Sequence, residues 1–124
     1  MYANKKVLVV DDSSLMRNFA KDSLKRLNIT NVTEAEDGKA ALAELKKETY
    51  DLILSDLHMP NMNGLELLKA VRSDSNLKDI PFIMMTLDGK KDLLLEAVKE
   101  GLDDYLIKPV TAGTLGQKLK KVFT

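Results

Sequence analysis

Cysteine and tryptophan are absent from this chain, and aromatic residues make up only 5% of it. Without cysteine there can be no disulfide, no zinc–thiolate site and no thiol nucleophile, which fits a reducing compartment. Charge of one sign is also lacking: 19 Lys and Arg balance 19 Asp and Glu. Nothing in that balance favours broad electrostatic binding to nucleic acid or to an anionic membrane. No apolar stretch approaches the roughly 20 residues of a membrane span. The short run Val7–Val10 that follows the N-terminal segment is too brief for a signal-peptide core, so the cytoplasm is the expected location. The three prolines and six glycines do not gather into a linker, and no segment repeats. What remains is an ordinary globular composition, 44% hydrophobic over 124 residues. That length suits one domain, expected over residues 1–124, with a core that needs no covalent staple.

Short apolar runs alternate with amphipathic stretches, the pattern of βα units around a parallel sheet. Val7–Val10, Leu52–Ser55 and Phe82–Met85 read as strands, continuous apolar runs such as Val7–Val10 suiting burial on both faces, and Asn31–Ala35 and Asp104–Ile107 read as further strands. Between them lie helical patterns. The first starts near Ser13 or Ser14, with Met16, Phe19, Ala20, Leu24 and Leu27 at helical spacing. A second carries Ala40, Ala41, Leu42 and Leu45 after an Asp37-Gly38 turn, and a third carries Leu65, Leu68 and Val71. A fourth carries Leu94, Ala97 and Val98 and ends at Gly101, and the last runs from Thr111 to Phe123. With right-handed crossovers, the predicted fold is α/β: a doubly wound, five-stranded parallel sheet in a flavodoxin-like three-layer sandwich.

Polar residues punctuate the predicted strand ends. Asp11 and Asp12 follow the first strand, Asp56 the third, Thr86 the fourth and Lys108 the fifth. In an open parallel sheet the carboxyl ends of the strands are where ligands bind. Crowded carboxylates repel one another, and a bound cation relieves that repulsion. Mg²⁺ prefers oxygen ligands and takes one or two carboxylates while keeping several waters. Asp12 and Asp56 suit direct ligation, with Asp11 acting through water. Asp56 also suits a nucleophile that forms an acyl phosphate, with Lys108 as a second cation and Thr86 as a hydrogen-bond donor to a phosphoryl oxygen. Taken singly, each of these residues reads as a turn or cap. Their ordered coincidence at successive strand ends points to chemistry.

The segments Val9-Val10-Asp11-Asp12-Ser13, Glu34-Ala35-Glu36-Asp37-Gly38, Ser55-Asp56, Met59–Leu68, Met85-Thr86, Asp104-Tyr105 and Lys108-Pro109 with Thr111 and Thr114-Leu115 carry a resemblance. The chain resembles response-regulator receiver domains, in particular the single-domain chemotaxis members of that family, along essentially its whole length. The resemblance implies that Asp56 accepts a phosphoryl group from a phosphohistidine on a partner histidine kinase. It implies Mg²⁺ held by Asp11, Asp12, Asp56 and the backbone carbonyl of His58, and Lys108 paired with the phosphoryl group beside a cis Lys108-Pro109 bond. Thr86 would close on the aspartyl phosphate while Tyr105 rotates inward. A partner face on the fourth helix, fifth strand and fifth helix would carry Lys90, Lys91, Leu94, Tyr105, Val110, Thr111 and Lys118. The implied partners are the kinase, an output protein such as a flagellar motor switch component, and a phosphatase. DNA and membrane are not expected partners, and the chain is expected to be a monomer. A phosphate sink or relay intermediate would use the same residues.

Leu93-Leu94-Leu95 adds an expectation from periodicity, because no helix buries three successive leucines. Leu87 stands beside Thr86, where the family usually has a small residue, and is expected to narrow access for the donor. His58 is the lone histidine. Its ordinary pKa near 6.5 would make any influence on phosphoryl lifetime pH-dependent. With no other histidine the donor is expected in trans or as a small acyl phosphate. Asp88, two residues past Thr86, is a candidate for selecting that donor or a phosphatase. Two other classes fit less well. A magnesium-dependent aspartyl-phosphate hydrolase usually has a second Asp where His58 stands. A flavin carrier would want ring-stacking aromatics and a phosphate loop that Asp11-Asp12 would repel.

Overall fold

Three strands form where apolar runs are covered from both sides, and four helices where a capping side chain precedes an amphipathic stretch. The computed structural model describes residues 2–87 and 91–123, with only the backbone of Lys91 and Asp92. In chain order the elements are β1 (Lys6–Val10), α1 (Ser14–Arg26), β2 (Asn31–Ala35), α2 (Gly38–Lys47), β3 (Leu52–Asp56), α3 (Gly64–Ser73), β4 (Phe82–Thr86), α4 (Lys91–Lys99), β5 (Asp104–Ile107) and α5 (Ala112–Val122). All strand pairs are parallel, in the order β2-β1-β3-β4-β5. This is the predicted doubly wound sheet. No helix among the described residues is long and apolar enough to cross a membrane.

Two cores flank the sheet. Leu8, Val10, Ile53, Phe82 and Met84 point to one face, where Ala41, Leu45, Leu67, Leu68, Val71 and Ala97 of α2, α3 and α4 cover them. Val7, Val9, Leu52, Leu54, Ile83, Met85 and Leu106 point to the other, beneath Ala20, Leu24, Leu115 and Leu119 of α1 and α5. The alternation follows from the two-residue period of a strand. Phe19, which shares the apolar spacing of α1, is 43% exposed instead.

Local chemistry sets the helix ends. Ser13, Asp37, Asn63 and Thr111 each accept a backbone N–H from the first turn of the helix that follows. Asn63 and Glu66 close a reciprocal capping box. The Asp37-Gly38 turn is therefore the start of α2, and Gly38 is its first residue. At the other end, Gly101 adopts φ 95° and Leu102 N–H reaches back to Ala97, the left-handed exit for which glycine carries no steric cost.

Gly64 marks where the loop after β3 passes closest to the strand. Its N–H donates to the carbonyl of Leu57 at 2.9 Å. A Cβ there would collide with the carbonyl oxygen of Asp56 and with Met84 Sδ. Gly64→Ala should therefore lower stability by about 2 kcal/mol, as overpacking against backbone does. A urea midpoint equal to that of the parent chain would contradict this close approach.

Candidate functional site

β1 and β3 are neighbours, with Val10 paired to Ser55, so the residues that follow them, Asp11 and Asp56, emerge side by side. β4 lies next and ends in Thr86, and β5 lies beyond it. Lys108 follows β5 and is tied back by its N–H to the carbonyl of Thr86 at 2.7 Å. The strand ends enclose a cleft of about 360 Å³ lined by Asp11, Asp12, Ser13, Met16, Asp56, His58, Thr86, Leu87 and Lys108. A more open depression of about 420 Å³, between Lys5, Asp51, Asp79 and Phe123, involves none of these strand-end residues.

The charges in the cleft are scarcely hydrated. Asp11 is fully buried, and Asp56 and Thr86 are buried too. The Lys108 ammonium sits between the carboxylates, 2.7 Å from Asp11 Oδ2 and 3.2 Å from Asp56 Oδ1, on a side chain 5% exposed. Asp11 Oδ1 accepts the N–H of Ser13 at 2.9 Å. The contact of Oδ2 with Lys108 is ionic and not aligned as a hydrogen bond. Among the described residues, Oδ2 is the buried side-chain polar atom left without a hydrogen-bond partner. Asp12 is exposed at the rim, and ligand oxygens of Asp11, Asp12 and Asp56 lie within 4.8 Å of one another. An orphaned buried carboxylate oxygen beside two more carboxylates is a donor set that fits a hard divalent cation.

Burial first, and then the neighbouring Asp11 carboxylate, push the Asp56 carboxyl above its ordinary range, with Lys108 opposing both. The arrangement can therefore do two things. It can bind a small oxygen-seeking cation, and it offers in Asp56 a nucleophile near a fixed ammonium.

Sequence expectations about the wider site meet the structure unevenly. Asp11, Asp12, Asp56, Thr86 and Lys108 come together, and His58 and Leu87 stand exposed at the cleft mouth. Leu87 is 71% exposed and does not turn away from the site. Met16, expected in the core of α1, instead lines the cleft, because the first turn of α1 rises directly from the Asp11–Ser13 loop. The Lys108-Pro109 bond is cis. Two residues expected on the partner face are buried. Leu94 turns inward with Ala97, three residues on, and the large apolar side chains that helix leaves exposed among the described residues are Leu95 and Val98. Val110 joins the core beneath α1, where its carbonyl accepts the Ser23 hydroxyl at 3.0 Å. Tyr105 is exposed with Lys118 Nζ 5.7 Å from its ring centre, and Thr111 is exposed as the N-cap of α5. Ile107, on the predicted fifth strand but not among the residues expected on the partner face, is exposed on the same strand. The expectations on Asp88 and Lys90, and on the side chain of Lys91, lie outside the described residues.

A carboxyl whose folded pKa is raised favours the fold most below its ordinary pKa. It loses that contribution as pH rises through the raised value, so the ionised Asp56 opposes folding at neutral pH. At pH 7 in chelator, Asp56→Asn should raise the melting temperature by about 3 °C or more. Millimolar Mg²⁺ should raise the parent chain and narrow the difference. A lower melting temperature for Asp56→Asn in chelator would contradict the crowding.

Comparison with known proteins places this geometry. Residues 7–120 match the family described as response regulator receiver domain. The chain is 44% identical over 120 residues to the chemotaxis protein CheY-3 of Vibrio cholerae, covering 97% of this chain and 92% of that one. The structure of chemotaxis response regulator CheY4 of Vibrio cholerae matches with a TM-score of 0.86 at 37% identity, over 95% of this chain and 98% of that one. The manganese-bound form of the response regulator Rcp1 matches with a TM-score of 0.77 at 28% identity, over 95% and 88% of the two chains. Sequence and fold agree along nearly the whole length, and the chain belongs to the response-regulator receiver domain family.

Proposed function

We propose that residues 1–124 form one receiver domain acting as a single-domain response regulator in two-component signalling, with chemotaxis as its setting. Asp56 takes a phosphoryl group from a phosphohistidine on a histidine kinase, and the modified domain changes its affinity for an output protein such as a flagellar motor component. The observation that carries this reading is the buried Asp56 carboxylate, set against Asp11 and Lys108 in a cleft whose remaining carboxylate oxygen has no hydrogen-bond partner.

The chemistry follows from that placement. A carboxylate oxygen of Asp56 attacks phosphorus, the P–N bond to the donor imidazole breaks, and its electron pair returns to the ring nitrogen. Hydrolysis later breaks the Asp56 O–P bond by attack of water and releases inorganic phosphate. Lys108, already 3.2 Å from Asp56 Oδ1, places a positive charge beside the transferring group, which favours the transition state. Thr86 ends a strand at the same cleft and offers a hydroxyl for a phosphoryl oxygen. Mg²⁺, when held by Asp11, Asp12, Asp56 and the carbonyl of His58, would neutralise charge on the transferring oxygens. The domain changes only its own phosphorylation state and turns over no separate substrate. His58, the lone histidine of these 124 residues, is exposed at the rim, and in this reading the donor imidazole is the kinase's.

Output requires a surface that reports the state of the cleft. Tyr105 and Ile107 on β5, with Leu95 and Val98 on α4, leave apolar side chains in solvent on elements adjoining the cleft. Tyr105 pairs with Met84 and Ile107 with Thr86 across the ladder, so an inward rotation of Tyr105 is coupled to the strand that ends in Thr86. This strip favours partner switching over a phosphate sink, which needs no output face.

Incubation with acetyl phosphate and Mg²⁺ should add the mass of one phosphoryl group, read by intact-mass spectrometry. The adduct should vanish in Asp56→Asn and without Mg²⁺. An adduct that survives Asp56→Asn would place the acceptor elsewhere. In the same assay Leu87→Ala should label faster, since its side chain stands at the cleft mouth; an equal rate would show that the mouth is already wide enough.

A further inference from the structure

From outside the cleft Arg17 reaches the backbone that carries two of its carboxylates, and Glu34 and Lys21 brace it. Arg17, in α1, donates through Nη1 to the carbonyl of Asp11 at 2.6 Å and through Nε to Glu34 Oε1 at 2.9 Å. Glu34, on β2, takes Lys21 Nζ on its other oxygen at 3.0 Å. One guanidinium thereby joins α1, β1 and β2, and its side chain is only 17% exposed.

Exposed ion pairs of this kind usually contribute little. This one differs in its second acceptor, which is a main-chain carbonyl. The carbonyl of Asp11 and the N–H of Asp12 share one planar peptide. Fixing the carbonyl fixes the plane, and the plane restricts the direction in which the Asp12 side chain leaves. Asp11 itself is pinned by other bonds: its N–H donates to Ala35 at 3.1 Å and its Oδ1 accepts from Ser13 at 2.9 Å. Asp12 is not. Among the described residues nothing hydrogen-bonds its exposed carboxylate. Its aim toward the other two carboxylates is thus left to the peptide that Arg17 holds. Glu34 serves as the anchor, held ionised chiefly by its hydrogen bond from Lys21, against a smaller effect of burial, with Arg17 adding to the lowering.

We propose that Arg17, braced by Glu34 and Lys21, is a positioning residue that sets the Asp11–Asp12 peptide so that Asp12 faces a divalent ion shared with Asp11 and Asp56. The inference rests on the reading that this carboxylate cluster binds Mg²⁺. Its sign separates it from simple electrostatics. Removing a positive charge near a cation site should by itself tighten cation binding, whereas releasing the peptide should weaken it.

Calorimetric titration of Mg²⁺ into the whole chain tests the proposal. Arg17→Met should bind about tenfold more weakly, the usual scale for groups that orient ligands. Glu34→Gln should weaken binding in the same direction by less. Arg17→Lys keeps the charge but replaces the planar two-nitrogen fork with a single ammonium, and should stay weak. Arg26→Met, which removes an exposed α1 ion pair to Asp22, should match the parent chain. Parent-like or tighter binding by folded Arg17→Met, or full recovery in Arg17→Lys, would overturn the proposal. If Arg17→Met does not fold, parent-like binding by Glu34→Gln overturns it instead. If the parent chain takes up no Mg²⁺, the cluster reading fails. The metal-free amide NMR shifts of Asp12 and Ser13 then decide the positioning alone: displaced in Arg17→Met if it holds, and unmoved if it does not.

Discussion

The Lys108 ammonium lies between two buried carboxylates, and much of the architecture can be understood as what keeps it there. Asp11 and Asp56 end adjacent strands, so the sheet order alone forces two like charges together with little water to screen them. Lys108 approaches from β5, with β4 in between, anchored by the bond from its own N–H to Thr86. One cation cannot fully satisfy two carboxylates. Asp56 stays raised in pKa, and Asp11 Oδ2 stays without a hydrogen bond. A site optimised for stability would have removed one of the acids. Keeping both leaves an electrostatic demand that a divalent cation can meet.

The same constraint explains the division of labour around the cleft. Asp11 is immobilised from several directions, Asp56 sits at the end of a strand buried along its whole length, and Asp12 stands at the rim. Close approach of the loop after β3 is enforced at Gly64, which permits contact with the carbonyl of Asp56. Rigid supports on two sides and an exposed third carboxylate leave a mouth open to a donor while the charges inside remain poorly hydrated.

Much of this was legible in the sequence, for a physical reason. A strand buried on both faces must be apolar for its whole length, so the first polar residue after it marks the sheet edge. That rule located Asp11 and Thr86, and Asp56 one residue past the buried Ser55, whereas Lys108 follows a strand of which only Leu106 is buried. The cap of α1 was legible because Ser13 carries the side chain that orphan N–H groups need, and Asn63 and Thr111 cap their helices by the same chemistry. The rotation of α4 was not. Three successive leucines show that one must be exposed, but which one depends on packing against the sheet, and Leu94 went inward where an outward position was expected. Val110 misled for a related reason: a residue between a proline and a helix cap reads as surface, yet here it seals the layer beneath α1. Arg17 was invisible, since its acceptor is a backbone carbonyl and no residue type announces that.

The exposed apolar strip and the charged cleft share one short strand. β5 is four residues long. Lys108 follows it immediately, and Tyr105 and Ile107 alternate along it with buried Leu106. Any shift of Lys108 toward a new anionic partner on Asp56 must be taken up within β5 or within its ladder to β4, where Thr86 pairs with Ile107. A strand this short, at the sheet edge and with one face only partly covered, has few contacts to resist such a shift. On the proposed reading, the under-packing that leaves Leu95, Val98, Tyr105 and Ile107 in solvent is therefore tied to the function. It supplies a surface for a partner, and it keeps the connecting element soft enough for that surface to respond to one added phosphoryl group.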